Sequence, residues 1–109
     1  MSDISDPLAQ DCPPFEAGPG LLVRKLDIVN RKGLHARATA KFVQCVEKYE
    51  ADVTVTRCGE TVGGTSIMGI LTLGAGMGTD ITVTTSGPQA EAAMEAIAAL
   101  VANRFGEDD

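Results

Sequence analysis

Leu22-Val-Arg-Lys-Leu-Asp-Ile-Val29 and the Ala36-Arg-Ala-Thr-Ala-Lys-Phe-Val-Gln-Cys-Val-Glu-Lys-Tyr49 segment that follows it carry two different periodicities. In the first, Leu26 and Ile28 alternate with Lys25 and Asp27, the period of a strand with one wet face. In the second, Thr39, Phe42, Val43 and Val46 fall at i, i+3, i+4 and i+7, one stripe of a helix, with Lys41, Gln44, Glu47 and Lys48 off it. Between them, Asn30-Arg31-Lys32-Gly33 reads as a turn in which Gly33 takes positive φ.

Working outward, Asp52–Arg57 alternates Val53 and Val55 with Thr54 and Thr56, a second strand. Cys58-Gly59-Glu60 is expected as a turn and Thr61–Gly63 as a short third strand. Thr65 or Ser66 can cap a short helix from Ile67 to about Leu73, which Gly74-Ala-Gly-Met-Gly78 ends. Thr79–Thr85 is a fourth strand with Ile81 and Val83 inward. Pro88 sits near the first turn of a last helix, where Ala90, Ala93, Met94, Ile97 and Val101 repeat at helical spacing. The order β-α-β-β-α-β-α predicts an α+β fold, an open-faced β-sandwich in which helices cover one face of a four-stranded antiparallel sheet.

Residues 1–21 hold four of the five prolines, with acids and no base up to residue 20. They read as a disordered acidic tail, followed by a folded domain over 22–105 and an acidic C-terminal end at 106–109. The net charge of −6 argues against nucleic acid, which needs a basic surface, and against anionic membranes. No apolar run approaches the ~20 residues of a membrane span. The N-terminus lacks the basic start and apolar stretch of a secretory signal, so a cytoplasmic protein is expected. Cys12, Cys45 and Cys58 are odd in number and form no Cys-x-x-Cys, which supports neither a disulfide framework nor a metal site.

His35, the single histidine, lies where the glycine turn meets a helix start. A helix N-terminus offers unpaired N–H groups and a positive partial charge, and so favours an attached anion. Arg37 adds a guanidinium two residues on. Histidine forms covalent intermediates, but a plain surface cap fits the same residues, as does a regulatory domain holding a small anion without a covalent bond. No second histidine serves as a base. Ser66 lacks a Gly-x-Ser-x-Gly elbow, and the glycines at 74, 76 and 78 follow a helix rather than a strand, which is wrong for nucleotide binding. Ile67, Met68 and Leu71 would be core on most helices, but a short helix cannot bury every side, and any exposed part of the stripe marks a docking face.

Lys32-Gly-Leu-His-Ala-Arg37 resembles the active-site signature of the HPr family, the histidine-containing phosphocarriers of the bacterial phosphoenolpyruvate-dependent phosphotransferase system. Ser66-Ile-Met-Gly-Ile-Leu-Thr-Leu-Gly74 resembles that family's second, serine-centred motif, and the resemblance runs from about Val23 to Phe105. It implies phosphorylation of His35 on Nδ1, with Arg37 and the backbone N–H groups of Ala36 and Arg37 holding the phosphoryl group. It implies enzyme I as donor, a IIA-type protein as acceptor, no cofactor, and a monomeric carrier rather than an enzyme. Ser66 aligns with the serine modified by HPr kinase/phosphorylase in some bacteria, and Ala40, Ile67, Met68 and Leu71 with the docking surface. An interaction-only relative would lack the need for His35 and Arg37 together. Two departures stand out. Ala38 replaces a proline frequent after the arginine, and Gln44, Glu47 and Thr65 stand where basic residues are common. The second weakens electrostatic steering and points to a dedicated partner set, such as the regulatory, nitrogen-type branch rather than sugar transport.

Overall fold

The computed structural model describes Gly18 and residues 20–107. The acidic tail read from the sequence therefore lies almost wholly outside the described residues. Four strands, β1 (Leu22–Asp27), β2 (Asp52–Arg57), β3 (Glu60–Gly63) and β4 (Asp80–Ser86), alternate with helices α1 (Ala36–Val46), α2 (Ile67–Thr72) and α3 (Ala90–Ala102). A 3-10 turn, Arg104–Gly106, follows α3. The element order is the one the periodicities predict.

The strands form one antiparallel sheet in the order β1-β4-β2-β3. The crossover through α1 leaves a one-strand gap between β1 and β2, and β4 fills it. Leu26 pairs with Ile81, and Val55 with Val83. All four side chains are buried, as inward positions at period 2 require. α3 packs on β1 and β4, and α1 on α2 and α3. The aliphatic core between the layers includes Ile28, Phe42, Ile70, Ile97 and Phe105. On the face turned away from the helices, threonines pair across strands, Thr54 with Thr84 and Thr56 with Thr61.

Boundaries differ from the sequence reading at three places. α1 ends at Val46 rather than near Tyr49. Lys48 and Tyr49 close i→i−3 turns onto Cys45 and Val46 instead of continuing the helix. The β2–β3 turn is two residues long, because Glu60 pairs with Arg57. Cys58 and Gly59 take φ of 48° and 85°, the sense of turn that matches strand twist in tight hairpins. β4 runs one residue later than expected. Cys45 is a free thiol whose pKa burial pushes up. Cys58 is disulfide-bonded, which the odd number and spacing of the cysteines did not suggest. No helix among the described residues is long and apolar enough to cross a membrane.

Candidate functional site

The segment before α1 is pinned to the loop before β4. Ile28 N–H donates to the Thr79 carbonyl (2.8 Å), Gly78 N–H to the Ile28 carbonyl (2.9 Å), and Leu34 N–H to the Ala75 carbonyl (2.9 Å). The loops approach so closely that a Cβ on Gly33 would lie 2.5 Å from the Ala75 oxygen and 2.7 Å from the Gly76 Cα. Gly33 also has φ of 66°, so glycine is required there twice over. Leu34 is buried beside it, which leaves His35 at a fixed point on the rim of the helical layer.

His35 is the N-cap of α1, with extended backbone (φ −80°, ψ −177°). Its Nδ1 accepts from the Arg37 N–H at 3.2 Å, and its carbonyl accepts from the Thr39 N–H at 2.8 Å. The ring is a quarter exposed. The imidazole thus fills the place a serine or aspartate oxygen takes in an ordinary cap. An anion on Nδ1 would meet the same unpaired N–H groups and the positive end of the helix. Arg37 is exposed on the first turn. Ala38 is fully buried. The Thr39 hydroxyl donates to the Leu34 carbonyl at 3.3 Å, so the first turn is held without a proline ring.

The opposite ring nitrogen has a partner that sequence reasoning missed. His35 Nε2 lies 2.5 Å from Glu107 Oε2, across 72 residues of chain. The other carboxylate oxygen, Oε1, accepts from Asn30 Nδ2 at 3.1 Å, and Asn30 Nδ2 also donates to the Gly33 carbonyl at 2.9 Å. Hydrogen bonds from His35 and then Asn30 hold the Glu107 carboxyl below its usual pKa, and the Lys32 charge adds to them. Glu107 reaches the site because Phe105 is fully buried and Lys41 Nζ donates to the Phe105 carbonyl at 2.6 Å. Neither Asn30, read only as a turn residue, nor Glu107, read as part of an acidic end, carried a sequence signal for this role.

Ser66 is the N-cap of α2, its Oγ accepting from the Gly69 N–H at 3.1 Å. A Cβ on Gly69 would come within 2.7 Å of that Oγ, which accounts for the glycine in the motif. α2 buries only Ile70 of its six residues. Ile67 and Met68 are exposed, while Leu71 and, on α1, Ala40 are half-buried. Packing of α1 on α2 places this apolar patch in the same helical layer as His35. Among the described residues no cluster of side chains could hold a metal ion. A groove between β1 and α3, lined by Leu22, Val23, Met94 and neighbours, contains none of the site residues.

Known proteins resemble the chain over most of its length. Residues 22–103 match the family model described as the PTS HPr component phosphorylation site. The chain is 45% identical over 89 residues to the phosphocarrier protein HPr of Cupriavidus necator, covering 82% of this chain and all of that one. It is 38% identical over 86 residues to the phosphocarrier protein NPr of Shewanella violacea, covering 79% and 94% of the two chains. Among solved structures, HPr-C-His from Thermoanaerobacter tengcongensis superposes with a TM-score of 0.77 at 34% identity, over 81% of this chain and 99% of that one. A phosphocarrier protein HPr from Bacillus anthracis superposes with a TM-score of 0.72 at 42% identity, over 74% and 96%. The chain therefore belongs to the HPr family of phosphocarrier proteins of the phosphotransferase system.

Proposed function

We propose that this chain accepts a phosphoryl group on Nδ1 of His35 from phosphorylated enzyme I and passes it to a IIA-type protein in the cytoplasm. The observation that carries the reading is the placement of His35 Nδ1 at the N-cap of α1, 3.2 Å from the Arg37 N–H. In the transfer, the Nδ1 lone pair attacks phosphorus in line while the donor's own P–N bond breaks and its electron pair returns to the donor imidazole. The phosphoryl oxygens then take up the N–H groups of Ala36 and Arg37 and the Arg37 guanidinium. A rim site with few donors holds the group without stabilising it so deeply that onward transfer stalls. Transfer to the acceptor follows when a second histidine is brought into line, an effect of positioning. The chain is thus a protein substrate, a monomeric carrier rather than an enzyme.

Docking falls to Ala40, Ile67, Met68 and Leu71, supported by the exposure of Ile67 and Met68. Ser66 is the candidate for regulatory phosphorylation by HPr kinase/phosphorylase. Its exposed hydroxyl at the start of α2 would place a dianion beside the apolar patch and weaken docking there. The sparse basic residues around that patch favour the regulatory branch over sugar transport. The test is intact-mass measurement after incubation with enzyme I and phosphoenolpyruvate, run in parallel on wild type and His35→Ala. One acid-labile phosphoryl group on wild type and none on the variant supports the carrier reading. No gain with several enzyme I homologues, including a nitrogen-type one, refutes it.

A further inference from the structure

Asn30 is fully buried in a surface turn, and its Oδ1 has no hydrogen-bond partner. Leaving a buried acceptor unpaired is costly, so the side chain is retained for what its Nδ2 does. That nitrogen holds the Gly33 carbonyl and Glu107 Oε1 together, and Glu107 Oε2 in turn holds His35 Nε2. An ionised carboxylate only accepts hydrogen bonds, so Nε2 must carry the proton. On the other side of the ring, the Arg37 N–H only donates, so Nδ1 must present its lone pair. The two contacts select the same tautomer of the neutral ring.

We propose that Asn30 and Glu107 are positioning residues that fix His35 as the Nε2–H tautomer and hold the Nδ1 lone pair against the start of α1 as the nucleophile. This rests on the phosphocarrier reading. When the bond from Nδ1 to phosphorus forms and the donor phosphohistidine's P–N bond breaks, the His35 ring becomes cationic. Its Nε2 proton stays in place, and the positive charge faces the Glu107 carboxylate. On transfer to the acceptor the ring regains its lone pair and the same contact awaits the next cycle, with no proton entering or leaving. The strap that carries Glu107 is tied down by buried Phe105, by Lys41 on the Phe105 carbonyl, and by the Glu107 N–H on the Arg104 carbonyl at 3.0 Å. A carboxylate so anchored acts on ring orientation as well as on charge.

His35 is the single histidine of the chain, so an imidazole 15N spectrum reports on it alone. The experiment compares wild type, Glu107→Ala, Glu107→Gln and Asn30→Ala by ring 15N shifts at neutral pH, and by the rate of phosphorylation from phosphoenolpyruvate and enzyme I. Wild type is expected to show a slowly exchanging Nε2 proton and shifts of one dominant tautomer. Glu107→Ala should move the shifts toward those of a free imidazole and slow phosphorylation about tenfold to a hundredfold, by analogy with the carboxylates that orient metal-ligating histidines. Glu107→Gln keeps an acceptor without the charge, and should retain the tautomer but only part of the rate. Asn30→Ala is expected to shift the ring signals in the same direction as Glu107→Ala. Should that variant fail to fold, the Glu107 pair decides alone. Identical ring shifts in wild type and Glu107→Ala, or equal rates in the two, would overturn the proposal. A wild type that takes no phosphoryl group refutes the carrier reading instead, while the 15N comparison still decides whether Glu107 sets the tautomer.

Discussion

Replacing Gly33 with alanine tests whether the packing of two loops places the histidine. The added Cβ would lie 2.5 Å from the Ala75 carbonyl oxygen and 2.7 Å from the Gly76 Cα, both backbone atoms that no side-chain rotation can move aside. The residue would also keep φ near 66°, which costs an L-residue about 1–2 kcal/mol. Relieving the overlap requires moving Ala75 away from Leu34, whose N–H it accepts at 2.9 Å, a loss of about 1 kcal/mol. Together these give a destabilisation of about 2–3 kcal/mol, or a Tm lower by roughly 10–25 °C for a domain of this size. Gly76 is the internal control. It lies in the same loop, yet a Cβ there meets nothing within 4 Å, so Gly76→Ala should stay within about 0.5 kcal/mol of wild type. Urea and thermal unfolding of the two variants measure the difference. A Gly33→Ala protein within about 0.5 kcal/mol of wild type would show that the loops separate freely and do not set the position of His35.

Phe105→Ala empties a fully buried aromatic site and should cost about 3–5 kcal/mol in urea unfolding. Ser66→Ala removes the α2 cap and should cost about 1 kcal/mol, leaving His35 labelling intact but abolishing acid-stable modification by a serine kinase. Ser66→Asp should instead slow His35 phosphorylation by weakening docking, seen as a raised KM for the carrier in the enzyme I assay. Glu107 has a carboxyl pKa lowered from about 4.5 by folding, so the stability it confers is present above that value and is lost as pH falls through the lower folded value. Unfolding of wild type and Glu107→Gln across pH 7 to 3 should show a difference that holds in the neutral range and shrinks below pH 4.5.

Which parts of the molecule were legible in sequence follows from the range over which each signal acts. β1, β2 and α1 announce themselves because alternation and helical spacing are consequences of which face is buried, and Leu26, Val55, Phe42 and Val46 lie where those periods place them. The strand order β1-β4-β2-β3 is not written in any window of residues, since it depends on β4 filling the gap that the α1 crossover leaves. Helix ends were read less well than helix faces. α1 stops at Val46, where the Lys48 and Tyr49 N–H groups turn back onto Cys45 and Val46, although the apolar spacing alone would carry the helix on to Tyr49.

The site divides along the same line. His35 and Arg37 could be singled out because a cap and the residue two beyond it are local, and the geometry of an N-cap needs no distant partner to be recognised. Glu107 could not, because a carboxylate among the acids of a C-terminal end is compositionally ordinary. What sends it to His35 is the burial of Phe105 together with the hold of Lys41 on the Phe105 carbonyl, two facts about packing that exist only after the layers have formed. Asn30 was legible as a turn residue and is one, since Gly33 N–H closes onto its carbonyl. Its side chain nevertheless serves a contact 77 residues away. A histidine whose one nitrogen is addressed by its own helix and whose other is addressed by the far end of the chain gains its geometry only from the completed fold. Loosening the strap should therefore alter His35 before it unfolds the sheet. Phe105→Ala at temperatures below its transition should already show the free-imidazole 15N signals expected of Glu107→Ala. Wild-type ring signals in folded Phe105→Ala would mean that Glu107 finds His35 without the strap, and that the contact is set locally after all.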